Sequence, residues 1–432
     1  MKVVVTSRET IKPSSPTPDH NRILQQSFID QINIRNIIPY IHYYTSDVCI
    51  RPTSSEKCHL LKKSLSEALT RFYPLAGRLR NNLYVECNDD GVPFLESRVQ
   101  SQLSNFVRNP NFDDLNKFLP CDQLDDAGDI PLSVQVNIFD CGGVAIGTCF
   151  SHKIADGLSV VTFLNFWAKL ARGVDVSNMP VPRFDIATFF PPRDISGYKR
   201  SSGTTKEKTV AKSFVFSDSA ISALKSKYAM GLDNPKPPSR LEVLTTFIWS
   251  RLVAANGGGR AVVQAMNLRG RANPPLPESY FGNLSRFATF EPSIDCNGNE
   301  GCRFINQMRE AIKKIDSDYV KNLQEGGNVI EMSSSTNVVD SSKLENNSLV
   351  FASNFLFPLY EVDFGWGKPI WVSFATLPFK NSINFLPRRA GVGIEAWFFM
   401  KEDDLAKLEA DKEFLAFVSP TSGAQDLLTS SL

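Results

Sequence analysis

The fold is decided by residues 134–171, which read VQVNIFDCGGVAIGTCFSHKIADGLSVVTFLNFWAKLA. Apolar and polar residues alternate from Val134 to Ile138, which is the two-residue period of a half-buried strand. A turn at residues 140–143 leads into a second strand, Val144 to Phe150, and apolar residues then recur at helical spacing from Leu158 to Ala171. The stretch therefore predicts two neighbouring strands and a following helix in an α/β protein.

Strands and helices alternate on both sides of this stretch, with one interruption. Residues 180–212 contain several prolines and a Ser/Gly/Thr run, and they show little periodicity. The length of 432 residues fits two large α/β domains. We predict an N-terminal domain at residues 1–190, a crossover loop at 191–212 and a C-terminal domain at 213–432.

Composition and charge exclude several classes of protein. Lys and Arg total 47 and Asp and Glu total 46, so the basic excess expected of a dedicated nucleic-acid binder is missing. No run of about 18 apolar residues predicts a membrane span, and the N-terminus has no apolar region of signal-peptide length. The eight cysteines show neither a C-x-x-C pair nor zinc spacing, which favours reduced thiols. We therefore expect a cytoplasmic protein without a membrane or nucleic-acid partner.

His152 is the strongest candidate for proton transfer. It directly follows a predicted strand and precedes a helix, where functional residues of α/β proteins tend to collect. Asp156 lies one helical turn further on, so the two side chains could act together, or Asp156 could point away and fix the loop. An imidazole with a reference pKa of about 6.5 can accept a proton from an alcohol or amine.

Three other kinds of site are less favoured by the sequence. A metal site at His152 and Asp156 would need a third ligand, and no second histidine lies near them in the sequence, so no metal is expected. A hydrolase using Ser151 would lack the G-x-S-x-G nucleophile turn. Residues 391–396 match a dinucleotide-binding pattern by letters, but a strand-like segment follows them where a helix is required.

Two further strings stand out. Residues 363–367 read DFGWG, and two glycines around a tryptophan predict a tight turn held by a salt bridge from Asp363. Residues 267–271 read NLRGR, so Arg269 and Arg271 would point to opposite faces of an extended segment. One arginine could pair with Asp363, and the other could meet a phosphate or solvent.

Together, and in this order, these strings resemble the plant BAHD acyltransferase family over essentially the whole chain. The H-x-x-x-D-G motif of that family is found at residues 152–157, and its D-F-G-W-G motif at 363–367. The segments YFGN at 280–283 and FYPLAGRL at 72–79 are also similar. The N-terminal Pro/Ser segment and residues 267–269 look most like the branch that acetylates alkaloids and terpenoids.

The resemblance implies an α/β fold of two similar chloramphenicol-acetyltransferase-like domains with mixed sheets. A long crossover loop would join the domains, and an active-site channel would lie between them. Acyl-CoA, most simply acetyl-CoA, would be the co-substrate of a monomeric enzyme with no permanently bound cofactor or metal. His152 would take the proton from an acceptor hydroxyl, which would attack the thioester directly and release CoA, without a covalent acyl-enzyme.

By the same resemblance, the catalytic assignments are His152, Asp156 and Asp363. Asp156 is expected to orient the His152 loop by pairing with an arginine. Asp363 is expected to hold the second motif by a salt bridge with Arg269. The residues expected to support the two motifs are Gly157, Arg269, Gly365, Trp366 and Gly367. The residues expected to contact the CoA arm are Thr245, Thr246 and Arg271.

The sequence departs from the family at one informative place. Many members carry Ser-Trp, followed two residues later by Arg, shortly before the second motif. Here Asn354 replaces the tryptophan and Leu356 replaces the arginine. Since leucine cannot offset the desolvation of a carboxylate, an acidic acceptor is disfavoured and an alkaloid or terpenoid hydroxyl is favoured. The open alternatives are an acylsugar or other alcohol as acceptor, and a catalytically silent relative that binds a hydrophobic ligand.

Overall fold

The computed structural model of the chain describes residues 1–46, 53–121, 124, 127–195, 209–230, 232, 236–257, 260–292, 300–326, 348–377, 379–389 and 393–420. The strands are β1 Val3–Ile11, β2 Ile23–Gln25, β3 Ile37–Tyr44, β4 Arg78–Arg80, β5 Tyr84–Glu86, β6 Val92–Val99, β7 Leu132–Phe139, β8 Val144–Ser151, β9 Thr209–Phe216, β10 Ala261–Asn267, β11 Ser285–Phe290, β12 Ser348–Ser353, β13 Trp371–Ser373, β14 Ser382–Pro387, β15 Ile394–Lys401 and β16 Ser419–Pro420. The α-helices are α1 Phe28–Ile32, α2 Ser54–Arg71, α3 Leu103–Arg108, α4 Gly157–Ala171, α5 Ile186–Phe189, α6 Asp218–Ala229, α7 Arg240–Asn256, α8 Glu300–Lys313, α9 Ser317–Glu325, α10 Glu402–Ala410 and α11 Lys412–Leu415.

The first large sheet carries the stretch that decides the fold. Its six strands lie in the order β1-β6-β7-β8-β3-β13, and only the β6–β7 pair is parallel. The predicted strand Val144 to Phe150 is β8, and the predicted helix Leu158 to Ala171 is α4, each within one residue of its expected bounds. The pairing of Ile37 with Ser151 brings the start of β3 beside the end of β8.

The second large sheet belongs mainly to the C-terminal half. Its seven strands lie in the order β11-β10-β12-β14-β15-β9-β16, and β10, β12 and β14 run parallel to one another. Its core cluster includes apolar residues of α6, α7, α8 and α10. The mixed α/β architecture predicted from the sequence is thus confirmed.

One strand crosses between the two halves of the chain. Trp371 of β13 comes from the C-terminal half, yet it pairs with Tyr43 of β3 and stacks on its ring at 4.9 Å between centroids. The largest apolar cluster accordingly contains residues from both halves. Contiguous boundaries at 1–190 and 213–432 do not account for this strand. Within the crossover predicted at 191–212, β9 already begins at Thr209, and residues 196–208 lie outside the described part.

Three further expectations concern membrane-spanning helices, the cysteines and the dinucleotide-like string at residues 391–396. None of the helices in the described ranges combines the length and apolar character needed to cross a bilayer. Six cysteines lie in these ranges and are free thiols, whereas Cys49 and Cys296 lie outside them. Residues 391 and 392 of the dinucleotide-like string also lie outside, and Ile394 to Lys401 form strand β15 rather than a helix.

Candidate active site

The loop between β8 and α4 turns two residues toward open space. The backbone N–H of His152 donates to the carbonyl oxygen of Asn36 at 2.9 Å, which ties the loop to the start of β3. From Ser151 to Gly157, only His152 and Gly157 keep partial exposure, and the residues between them are buried. His152 is therefore not fully buried in the apolar core.

The His152 ring is held by two side-chain amides. Its Nδ1 atom lies 3.0 Å from Asn283 Oδ1 and 3.0 Å from Asn33 Nδ2. Asn283 Nδ2 donates to the backbone oxygen of His152 at 2.7 Å and to Asp30 Oδ1 at 2.8 Å. Both bonds use the amide nitrogen, so the oxygen of Asn283 faces the ring, and it also accepts Asn33 Nδ2 at 2.7 Å. With its proton on Nδ1, the ring donates to Asn283 Oδ1 and carries its basic lone pair on Nε2, whereas with its proton on Nε2 it accepts from Asn33 Nδ2.

Asp30 completes this arrangement from the buried side. It lies in helix α1, where it forms a capping box with Ser27, and it also accepts the backbone N–H of Asn283 at 3.1 Å. Burial raises the pKa of Asp30, and the hydrogen bonds from Ser27 and Asn283 oppose that effect. The sequence assigned no role to Asp30 or Asn283. The signal available for Asp30 was the Ser-x-x-Asp spacing at 27–30, which indicates a helix start rather than a site.

Asp156 faces the protein interior and forms the N-cap of α4. Its carboxylate accepts Arg269 Nη1 at 2.7 Å and Nη2 at 3.2 Å, and also the backbone N–H groups of Ser159 and Leu284. Burial would raise the pKa of Asp156, but the charge and hydrogen bonds of Arg269, with the two backbone donors, hold it below its ordinary value. The predicted pairing with an arginine is confirmed, and Asp156 stays ionised as a support of the loop.

The predicted salt bridge between Asp363 and Arg269 is wrong. Arg269 is committed to Asp156, and the cation nearest to Asp363 among the described ion pairs is Arg172, at 3.9 Å. Arg172 follows the C-terminal end of α4, whereas the His152 loop precedes its N-terminal end. Fifteen helical residues separate these ends by about 22 Å. Asp363 therefore lies too far from His152 to belong to its catalytic group.

The D-F-G-W-G string is a packed turn. Asp363 Oδ1 accepts the N–H groups of Gly365 at 2.8 Å and Gly367 at 3.0 Å, and both glycines have φ angles above +100°. Phe364 packs edge-on against Trp167 of α4, and Trp366 stacks on Phe364. The turn thus supports the distal half of the helix that begins at the site.

The three residues expected at the CoA arm lie in structural positions. Thr245 and Thr246 are fully buried inside α7, where the Thr246 hydroxyl donates to the Glu242 carbonyl. The Arg271 guanidinium donates to the carbonyl oxygens of Ile312 and Ile315 at the end of α8. Their role toward CoA stays a prediction. The contacts of Thr246 and Arg271 favour stabilisation of the fold, whereas the buried Thr245 hydroxyl has no hydrogen-bond partner among the described residues.

The rival chemistries find little support in the described residues. No group of three or more His, Cys, Asp or Glu side chains in these ranges is arranged to hold a metal ion. Ser151 is buried, and its hydroxyl oxygen accepts the backbone N–H of Lys153 at 3.3 Å, which favours a structural role. The partly exposed His152 is therefore the candidate proton acceptor of this loop.

Comparisons with known proteins agree with this geometry. A family model described as the Transferase family matches residues 1–415. Stemmadenine O-acetyltransferase from Catharanthus roseus is 36% identical over 420 residues, which cover 94% of this chain and 96% of that protein. A limonoid 21-O-acetyltransferase from Citrus sinensis is 33% identical over 435 residues, with 97% and 99% covered.

Solved structures show the same relationship. The crystal structure of vinorine synthase matches with a TM-score of 0.83 at 35% identity, covering 98% of this chain and 100% of that one. The structure of F. sporotrichioides TRI101 complexed with coenzyme A and T-2 matches at 0.71 with 17% identity, covering 92% and 99%, which is a likeness of fold alone. The chain therefore belongs to the BAHD family of acyltransferases.

Proposed function

We propose that the protein is an acyl-CoA-dependent O-acyltransferase that esterifies a hydroxyl of an apolar plant metabolite, an alkaloid or a terpenoid. Acetyl-CoA is the proposed donor. The observation that carries the proposal is His152, whose Nδ1 atom lies 3.0 Å from Asn283 Oδ1 and which stays partly exposed. This arrangement orients the imidazole for general-base work before substrates bind.

The proposed reaction is a direct transfer. His152 Nε2 takes the proton from the acceptor hydroxyl while its oxygen forms a bond to the thioester carbon. The tetrahedral intermediate collapses with cleavage of the carbon–sulfur bond, and the departing thiolate recovers the proton from His152, so that free CoA leaves. Asn283 and the Asp30 carboxylate behind it favour the imidazolium that forms between these steps. Holding the two substrates together supplies much of the rate.

The substrate classes rest on two kinds of support. The relatives named for stemmadenine and limonoid acetylation favour acetyl transfer to alkaloids and terpenoids, and the TRI101 structure holds coenzyme A in the same fold. Leu356 adds a physical argument, because it is 84% exposed and stands where many relatives carry arginine. An exposed apolar side chain favours an apolar acceptor over an acidic one.

The test compares His152→Ala with His59→Ala, which removes an exposed imidazole from α2. Each variant is mixed with acetyl-CoA and a panel of hydroxylated alkaloids and terpenoids, and free thiol and ester product are measured. We expect His152→Ala to lose product formation while keeping its circular dichroism, and His59→Ala to retain activity. Wild-type turnover by His152→Ala would refute the proposal, and an acyl group trapped on Ser151 would favour a hydrolase instead.

A further inference from the structure

A polar pair lies across from the His152 loop, and the proposed mechanism does not use it. Asn354 Nδ2 donates to the hydroxyl oxygen of Tyr40 at 3.2 Å. Tyr40 belongs to β3 in the first large sheet, whereas Asn354 directly follows β12 in the second. The hydrogen bond therefore joins the two halves of the molecule close to the candidate site.

Tyr40 is a rigid anchor for this bond. Its side chain is fully buried, and its ring packs against Phe374 with centroids 5.2 Å apart. Burial, with a smaller contribution from the Asp156 charge, raises the pKa of Tyr40, so its hydroxyl stays neutral. Asn354 is only half-buried, and its backbone N–H donates to the Phe385 carbonyl at 2.8 Å. Tyr40 thus holds the side-chain amide of Asn354, Phe385 holds its backbone N–H, and the residue stays partly exposed.

Gly157 locates the pair relative to the site. A Cβ atom built on Gly157 would lie 3.5 Å from Asn354 Oδ1, 3.9 Å from the Tyr40 hydroxyl and 3.1 Å from the Phe357 ring. Gly157 is also one of the two residues, with His152, that keep exposure between 151 and 157. The Asn354 amide therefore lies against the partly exposed end of this loop, beside an aromatic ring.

We propose that the Asn354 amide is a hydrogen-bonding contact for the acceptor and that Tyr40 positions it. Within the described residues, the contacts of Asn354 Nδ2 use one of its two hydrogens, on Tyr40, so the second can meet a substrate oxygen, and Oδ1 can accept from a hydroxyl. Where many relatives place a large indole, this chain has a small group that both donates and accepts. The acceptor is accordingly an apolar alcohol with a second oxygen beside the reacting hydroxyl.

This inference rests on the proposed function, and its test uses acetyl-CoA with two terpenoid alcohols. Borneol has one hydroxyl on an apolar frame, and bornane-2,3-diol adds an adjacent oxygen. We expect the wild type to have the higher kcat/KM for the diol. Asn354→Leu should lower the diol-to-borneol ratio about 3- to 10-fold, because the lost hydrogen bond serves only the diol. The KM for acetyl-CoA should not follow that change.

Two further variants make the test specific. Tyr40→Phe removes only the anchoring hydroxyl, so it should shift the ratio in the same direction by a smaller factor. Met230→Ala changes an exposed apolar side chain that follows α6 and removes no polar atom, so it should keep the wild-type ratio. A positioning role predicts this graded order, whereas general damage to the fold would lower both alcohols together.

The results of these assays distinguish a failure of the acceptor contact from a failure of the proposed function. Equal use of both alcohols by the wild type, no transfer to the diol, or an equal loss for both alcohols in Asn354→Leu would overturn the acceptor contact. If the wild type nevertheless forms esters with other members of the alkaloid and terpenoid panel, the proposed function is retained and only the acceptor contact is refuted. If it releases no thiol with any acceptor, both proposals fall.

Discussion

At the residue scale, the His152 imidazole is contacted by two neutral side-chain amides, those of Asn283 and Asn33. Asn283 contacts Nδ1 through its oxygen because its nitrogen is used by Asp30 and by the backbone of residue 152. A neutral amide orients the ring without raising its basicity as strongly as a directly bonded carboxylate would. The Asp30 carboxylate acts on the ring through Asn283, whose Nδ2 donates to it.

Replacing Asn283 tests this orientation. The proposed mechanism needs the tautomer with its proton on Nδ1, and Asn283→Leu removes the acceptor of that proton, so we expect kcat to fall about 100-fold or more. The KM for acetyl-CoA should change much less, because Asn283 contacts the ring and not the donor in this mechanism. Asn165→Leu, in the middle of α4, is the matched control, and steady-state kinetics measure both. A wild-type kcat in Asn283→Leu would contradict the role.

The Asp156–Arg269 pair should contribute to stability far more than pairs at the surface. Arg269→Met leaves a buried carboxylate unpaired, and we expect a loss of about 3–5 kcal/mol in the free energy of unfolding at pH 7. The control Lys227→Met breaks the half-exposed pair with Glu413 and should cost less than about 1 kcal/mol. Denaturant unfolding measures both. Equal losses would show that burial does not decide the outcome.

At the scale of elements, helix α4 connects the two sequence motifs. Its N-terminal end carries Asp156 and the His152 loop, and its C-terminal end meets the D-F-G-W-G turn through Arg172 and Trp167. The second motif therefore supports the first over a distance, by packing on a rigid element. This explains how a turn can belong to the same sequence signature as a base that it does not touch.

Replacing a glycine of the D-F-G-W-G turn should lower the free energy of unfolding without a large effect on kcat. Gly365 has a φ of +106°, so Gly365→Ala is expected to cost about 1–3 kcal/mol of unfolding free energy through backbone strain. Its Cβ would meet only Arg172 at an ordinary distance of 3.6 Å. Gly270→Ala, which has open space and no positive φ, should be neutral. Unfolding and kcat are measured together, and a large fall in kcat of folded Gly365→Ala would contradict a purely structural turn.

Helix boundaries show which local patterns were sufficient. The strand and helix around His152 were predictable within a residue, because their apolar periods are long and regular. The residue pattern from Asp403 to Phe417 predicts one last helix, whereas the structure has two, α10 and α11. Asp411 caps the second helix by accepting the N–H groups of Glu413 and Phe414, which interrupts an otherwise continuous pattern.

At the scale of the whole molecule, His42 links protonation to the packing of the two halves. It lies in the middle of β3, beside strand β13 from the C-terminal half, and 1% of its surface is exposed. Burial lowers the pKa of His42 from 6.5 to about 3, although a backbone hydrogen bond with Leu359 opposes the shift. The folded protein therefore keeps this imidazole neutral at pH values where the unfolded chain protonates it.

The sign of the pH dependence follows from that difference. As pH falls from 6.5 toward 3, the unfolded state binds a proton that the folded state does not, so stability should fall, by about 2 kcal/mol between pH 6.5 and 5. The raised pKa of Asp30 acts in the opposite direction, so the comparison is made with His42→Gln, which retains Asp30. Denaturant unfolding at pH 5, 6 and 7 should give the variant a flatter profile. Parallel profiles would contradict the buried neutral state.

The residues alone were enough for the α/β class, for His152 as the candidate base and for the family resemblance, because hydrophobic periods and short motifs are local properties of the chain. Tertiary structure decided that Arg269 pairs with Asp156 rather than Asp363, that Asn283 and Asp30 stand behind the imidazole, and that β13 joins the opposite sheet. These contacts join positions separated by 113 residues or more. No local pattern specifies such a partner, because the choice depends on how helices and sheets pack around a shared core.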